Sequence, residues 1–317
     1  MISFQWFLIT GRKIAKQNGG PMITRSAVQT FVKRYHIKVR KVQRKKQQPK
    51  DDFTEKIKQW HLNYRESLIK SQRPGSHYDC KWGRFKPYQR INVDQVPLPF
   101  VLDKTQTYER PLGRNEKVWV SHPGSGLEKR QCTLQIAFSP ENNRIKIEII
   151  FRGTCKGIKE MVKRSYHPSV DVDFQKNAWA DTKYPCDWVN KTLKPAITEG
   201  EEFVLLCDNL TAQTSEDFKS AVKNINGIVW YGLPGATDIW QPVDAGYGWL
   251  LKKLTAKAQN DWLELEENLD TWMGNNEKTL TASDHRILIT QWVGKAADTL
   301  VSSEYDHFCC RCFEKTG

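Results

Sequence analysis

Residues 203–231 read Phe203-Val-Leu-Leu-Cys-Asp208-Asn-Leu-Thr-Ala-Gln-Thr-Ser215-Glu-Asp-Phe-Lys-Ser-Ala-Val-Lys-Asn-Ile-Asn-Gly227-Ile-Val-Trp-Tyr231. Both ends are continuous apolar runs, the pattern of strands covered on their two faces. Between them Ser215 can cap a helix that opens on Glu216 and Asp217 and stops at Gly227. Strand, helix and strand within about thirty residues make a parallel crossover unit, so the fold class is α/β. Asp208 follows the first of these strands immediately, at the carboxyl end, where open α/β sheets place their ligands.

Upstream the period is that of strands. Ile91 to Asp94 is a short apolar run. Cys132, Leu134, Ile136 and Phe138 alternate with Thr133, Gln135 and Ala137, and Ile145, Ile147, Ile149 and Phe151 alternate again after the turn at 139–143. These predict an antiparallel portion of the same sheet, with Val118 to Val120 as a further strand. Downstream the chain turns helical: Leu250, Leu251, Leu254, Trp262, Leu265, Leu269 and Trp272 recur at helical spacing, and Ser283 can cap a last helix carrying Leu288, Ile289, Trp292, Val293, Ala296 and Leu300. Such aromatic stripes pack a core.

The amino-terminal part is different in kind. A short helix is expected around Ile9 to Gln17, closed by Asn18-Gly-Gly-Pro21, and Thr24 can cap a second with Ala27, Val28, Phe31, Val32 and Tyr35 at spacings of three and four. Two short helices about a Gly-rich turn read as a helix-turn-helix, leaving Arg25, Gln29, Lys33 and Arg34 on other faces. The run Lys38 to Lys46 follows, with Arg40, Lys41, Arg44, Lys45 and Lys46, and then a third helix near Phe53 to Ser71. Of the net charge of +13, all resides in residues 1–70, where 17 Lys and Arg face four Asp and Glu; the other 247 residues balance. A basic module on a neutral body is the footprint of a polyanion-binding part joined to a part with another task, and double-stranded DNA is the leading polyanion.

Composition excludes other classes. With 39% apolar residues, 27% charged and 12 Trp in 317 residues, the chain is neither disordered nor a disulfide miniprotein. No apolar stretch is long enough for a membrane helix, and a signal peptide is not expected. The eight Cys lack framework spacing, so reduced thiols are expected, and the crowded His307, Cys309, Cys310 and Cys312 are poorly spaced for zinc. No small-molecule cofactor motif is present.

Asp94 lies in or at the end of the first strand, Asp208 at the end of a buried one, and Asp244 in Gln241-Pro-Val-Asp244, where Pro242 at a helix start puts the carboxylate in the first turn. All three can converge on one edge of the sheet. Carboxylates about 4 Å apart repel by about 4 kcal/mol at an effective dielectric near 20, so such a cluster needs a cation. Oxygen-only ligands point to Mg²⁺ or Mn²⁺, and two such ions about 4 Å apart suit phosphodiester chemistry. The alternative for an Asp after a strand is a loop or helix cap.

The phrases Asn92-Val-Asp94-Gln-Val-Pro, Leu206-Cys-Asp208-Asn209-Leu-Thr-Ala-Gln and Leu233 to Gly246, in that order, resemble the DDE-type endonuclease domain of pogo and Tigger-like transposases of the mariner superfamily, from about Arg90 to Lys253. The resemblance implies an RNase H-like mixed sheet with flanking helices, and an enzyme that cuts and joins DNA with two divalent ions. Its three acidic ligands correspond to Asp94, Asp208 and Asp244; Asp244 is favoured over Asp238 because the family's acid follows the Gln-Pro pair. Gln175-Lys-Asn-Ala-Trp-Ala-Asp181 also resembles one branch, with Asp181 read as structural. Phe31-Val-Lys33-Arg34-Tyr35-His-Ile resembles the second helix-turn-helix of these transposases and of centromere protein B, with Tyr35 where His is usual and Ala27 where Trp is usual. His36 is read as packed or solvent-facing.

The expected organisation is therefore a basic helix-turn-helix module (1–70), a linker (71–89), an RNase H-like endonuclease domain (90–255) and a helical extension (256–317). The expected function is transposition with Mg²⁺ or Mn²⁺ on double-stranded DNA, in the nucleus, with a homo-oligomer as the family's way of holding two DNA ends. The rival reading is a transposase-derived DNA-binding protein without that activity.

Overall fold

The computed structural model describes residues 11–12, 14–35, 50–69, 81–100, 130–141, 145–176, 183–263, 268, 271–272 and 280–317. His36, Arg40, Lys41, Arg44, Lys45, Lys46, the segment 118–120 and Asp181 lie outside the described residues, so the expectations placed on them are neither met nor overturned. The chain divides into two compact units, 1–50 and 51–317.

In the first unit, residues 11–12 and 14–17 are helical, and α1 (Arg25–Arg34) follows. Thr24 caps it as the sequence requires, its hydroxyl accepting the Ala27 N–H at 3.2 Å. Val28 is buried, while Arg25, Gln29, Lys33 and Arg34 are all exposed.

The second unit opens with α2 (Lys50–Ile69), the third helix of the sequence reading, assigned there to the basic module. It packs on the sheet body instead. Tyr64 and Leu68 are buried in the main core, and the Trp60 indole donates to the Tyr231 carbonyl at 2.9 Å. The compact unit thus begins at Asp51 and not beyond residue 70, because one apolar stripe of this charged helix covers the sheet.

The sheet has six strands: β1 (Arg90–Pro99), β2 (Gln131–Phe138), β3 (Ile147–Arg152), β4 (Val170–Gln175), β5 (Phe203–Cys207) and β6 (Gly227–Tyr231), in the order β4-β3-β2-β1-β5-β6. β1, β2 and β3 run antiparallel to their neighbours in that meander, whereas β5 and β6 join β1 in parallel, and β4 lies parallel to β3 at the far edge. A three-strand meander continued by parallel strands beside its first member is the RNase H-like arrangement. β1 is longer than the expected 91–94 run, extending through Pro97 and Pro99. β4 was not anticipated, although Val170, Val172 and Phe174 alternate with Asp171, Asp173 and Gln175.

Helices cover both faces. The short α3 (Glu160–Arg164) lies between β3 and β4 in the chain; on one side α4 (Tyr184–Trp188) and α5 (Glu216–Lys223) pack Tyr184, Trp188, Phe218 and Val222 against Ile91, Val93, Leu205 and Cys207. Ser215 caps α5 as expected, accepting the Phe218 N–H at 3.3 Å, and Asn226, in a left-handed conformation (φ 63°), turns the chain into β6. On the other side lie α6 (Thr237–Trp240), α7 (Gly248–Leu263), α8 (Ala282–Leu300) and α9 (Asp306–Thr316). Thr281, not Ser283, caps α8: its hydroxyl accepts the Asp284 N–H, and Asp284 returns a bond to the Thr281 N–H. Ser283 therefore lies two residues inside, in the first turn, since a capping box needs the acid three residues after the cap. The stretch 256–317 does not stand apart as an extension: Trp292, Val293, Leu300 and Phe313 share one core with Leu134, Ile136 and Phe138. Cys309 and Cys312 are buried in that core as small apolar side chains.

Candidate active site

Asn92 decides where the acidic residues meet. It interrupts the apolar run Ile91-Asn92-Val93, is fully buried, and lies on the face that carries Val96 and Leu98. A buried amide must find partners. Its Nδ2 donates to the Leu206 carbonyl on β5 at 3.1 Å, and its Oδ1 accepts the Val243 N–H at 2.9 Å. These contacts lie two residues before Asp94, two before Asp208 and one before Asp244. One side chain therefore ties together the three segments that bear the acids.

Asp94 sits within β1 opposite Ile136. Asp208 follows β5, and its Oδ1 accepts the Asn209 N–H at 2.7 Å. The Asn209 side chain donates to the Gly232 carbonyl, holding the end of β5 to the end of β6. Gly232 has to be glycine, since a Cβ there would lie 1.7 Å from the Trp240 ring. Asp244 lies in the first turn of a wide helical segment, Val243–Tyr247, that follows Pro242. Gly246 then takes φ 149° and lets the chain pass from that turn into α7. Asp238 lies in the preceding short helix, α6.

The carboxyl of Asp94 is pushed up to about 7, first by burial, then by the charge of Asp244 and to a smaller degree by that of Asp208; the Gln95 N–H and the Gln241 amide pull it partly back. The negative charges of Asp244 and Asp208 thus both act on Asp94. Gln241 is buried, and its amide atoms find no partner of good hydrogen-bond geometry, so its effect on Asp94 is that of a nearby dipole. Lys252 on α7 also faces the group. Burial lowers its pKa, while Asp244 and Asp94 act to raise it. The sequence reading singled out neither Gln241 nor Lys252; Lys252 lies eight residues, just over two helical turns, beyond Asp244.

Among the described residues no three His, Cys, Asp or Glu side chains stand close enough together to hold a metal ion. The donor set is nonetheless all oxygen, partly buried and mutually repulsive, with an orphaned Gln241 amide beside it. That suits hard divalent cations bound through one or two carboxylates each, with substrate oxygens completing the shell.

Residues 129–304, more than half of the chain, match the model of the DDE superfamily endonuclease family. The chain belongs to the DDE superfamily endonucleases. Asp208 and Asp244 lie inside the matched stretch and Asp94 before it. Among solved structures, the chain resembles the "Mos1 transposase paired-end complex with left transposon end" at 14% identity and a TM-score of 0.45, over 99% of this chain and 77% of that one. It also resembles the "Mos1 mariner paired end complex with Mn" at 13% identity and a TM-score of 0.44, over 95% and 77%. Superposition at this level is loose, and membership rests on the sequence match. No curated protein matches the chain.

Proposed function

We propose that this DDE superfamily endonuclease is a transposase of the pogo and Tigger-like branch that cuts DNA at element ends and joins it to a target, with Asp94, Asp208 and Asp244 as its metal ligands. The observation that supports the reading is the Asn92 clamp, which joins the three segments that bear these acids. Mg²⁺ or Mn²⁺, as two ions, would supply Lewis-acid stabilisation of the charge that develops on the phosphodiester oxygens. Asp94 and Asp208, on neighbouring strands, fix one side of that site, and Asp244 on a helix turn fixes the other. Asn92 keeps them in register. Lys252, half-buried behind them, offsets part of their negative charge before ions bind.

Residues 1–50 supply the DNA affinity in this reading, through Arg25, Gln29, Lys33 and Arg34 on α1 and through Arg40, Lys41, Arg44, Lys45 and Lys46. The same basic run serves nuclear import, and a homo-oligomer holds two DNA ends. The test is Mg²⁺-dependent cleavage of element-end DNA by the wild type and by Asp208→Asn. Binding without cleavage in the variant supports the assignment. Wild-type protein that binds DNA but never cuts it would instead support a transposase-derived DNA-binding protein.

A further inference from the structure

We infer that a cleft of about 440 Å³ between α2, residues 81–90 and α9 is a binding site for a phosphate group, centred on Arg90. Arg90 opens β1 and is only 4% exposed. Its guanidinium lies 5.4 Å from the centre of the Tyr64 ring and 5.2 Å from that of Trp82, and Nη2 donates to the Tyr64 hydroxyl at 3.1 Å. Nε is buried and has no acceptor, and among the described residues no carboxylate lies within 4 Å of the group. Arg84 offers the contrast within the same segment: its buried side chain is ion-paired to Glu202. A buried cation costs several kcal/mol unless an anion meets it.

The cleft beside Arg90 is built to receive one. Arg65 on α2 and Lys81 also line it, together with Glu314, which is paired with Lys81 at 2.6 Å. Leu68 and Phe313 form an apolar wall. The two rings and the Tyr64 hydroxyl hold the guanidinium in place, and a guanidinium matches phosphate oxygens. The volume exceeds one phosphate group and leaves room for what the group is attached to.

Two sources share this chemistry: a phosphodiester of bound DNA and a free phosphate compound. Arg90 precedes Asp94 by four residues on one strand, about 13 Å, so a duplex held at the acidic cluster is within reach. The site involves none of the proposed metal ligands, and its test needs no cleavage. In metal-free buffer at fixed ionic strength, the full chain is titrated with inorganic phosphate and separately with a DNA duplex. Arg90→Met probes the buried cation, and Arg65→Gln combined with Lys81→Gln probes the exposed ones without disturbing the core. Wild-type protein should take up one equivalent of phosphate, weakened at least tenfold in both variants. A DNA source adds a uniform loss of duplex affinity and a salt slope shallower by about 1 to 2; a free-phosphate source leaves duplex binding unchanged. If the Arg65→Gln/Lys81→Gln protein, shown to be folded, binds phosphate and duplex as the wild type does, the inference is overturned.

Discussion

The amide oxygen of Asn92 accepts the backbone N–H of Val243 across 151 residues of chain, at 2.9 Å, and its NH₂ meets Leu206 at the same time. Replacing Asn92 with Ala leaves a buried donor and a buried acceptor unpaired, at about 1–3 kcal/mol each. Asn92→Ala should therefore unfold at lower denaturant and lose most metal-dependent cleavage. Asn92→Asp should do worse, because a carboxylate opposes the Leu206 carbonyl and adds charge beside Asp94. Chemical denaturation together with a nicking assay reads both effects, and undiminished cleavage by Asn92→Ala contradicts the clamp.

Removing one charge from a repelling group should stabilise the protein when no cation is present. Asp94→Asn is expected to melt above the wild type in chelator, because Asp244 and Asp208 no longer face a third carboxylate. Added Mg²⁺ should raise the wild-type melting temperature, since a ligand of the native state alone stabilises it, and should raise that of Asp94→Asn little. Thermal scans with and without Mg²⁺ decide this; an equal Mg²⁺ response in the two proteins removes Asp94 from the ligand set.

The third ligand can be tested against its rival. Asp244 sits on a helical turn whose start is fixed by the Val243–Asn92 bond, whereas Asp238 lies on the four-residue α6, before the Gln241-Pro242 link. Asp244→Asn and even Asp244→Glu should impair cleavage without loss of stability, because a metal site tolerates displacements of only about 0.5 Å. Asp238→Asn should cleave normally. Activity in Asp244→Asn and none in Asp238→Asn would exchange the two assignments.

The β5-α5-β6 crossover was legible because its signals are local: apolar runs, Ser215 as a cap, Gly227 after the helix. Thr24 and α1 were legible for the same reason. β4 was missed although Val170, Val172 and Phe174 alternate, since Asp171 and Asp173 make the run look solvent-facing until β3 is beside it. The allegiance of α2 was hidden by its position: it follows the basic run directly and was counted with it, although its own charges balance, while Trp60, Tyr64 and Leu68 commit it to the sheet. For the site, the acids were found through their neighbours in sequence, but the role of Asn92 depends on two partners far along the chain, and Lys252 on a helix direction that only the fold supplies.

That allegiance of α2 sets where the chain can be cut. A fragment 51–317 keeps Tyr64 and Leu68 in the core and should fold; a fragment 71–317 uncovers the surface they bury and should be destabilised by about 1.5–3 kcal/mol for each large side chain lost. In 51–317 most DNA affinity should be gone. If residues 1–50 meet about six phosphates, the full chain should show a slope of log K against log salt near −5, and the fragment a much flatter one. Unchanged affinity and slope in 51–317 would refute the division of labour.

The last prediction concerns the opposite face of the sheet. Glu148 on β3 is buried next to Asp171 on β4, accepts a hydrogen bond from the Tyr184 hydroxyl, and has its carboxyl pushed up to about 7. Burial is the chief cause; the Tyr184 bond lowers the value, Asp173 and Asp171 raise it, and Lys191 lowers it. In the unfolded chain the group titrates near 4.5. Between these values the native state holds the proton more tightly, so stability from this group is full below about 4.5, falls as pH rises, and is lost above about 7. Asp94 has a raised carboxyl too and adds a fall of the same sign, so the measurement must isolate Glu148. Glu148→Gln keeps an acceptor for Tyr184 and carries no charge. At pH 8 it should be more stable than the wild type, by at most about 3 kcal/mol for a shift of this size, and the gap should close as pH falls toward 5. Denaturant midpoints of both proteins from pH 5 to 8 give the answer: a gap that does not vary with pH would mean that Glu148 is not protonated in the native protein at the low end of that range.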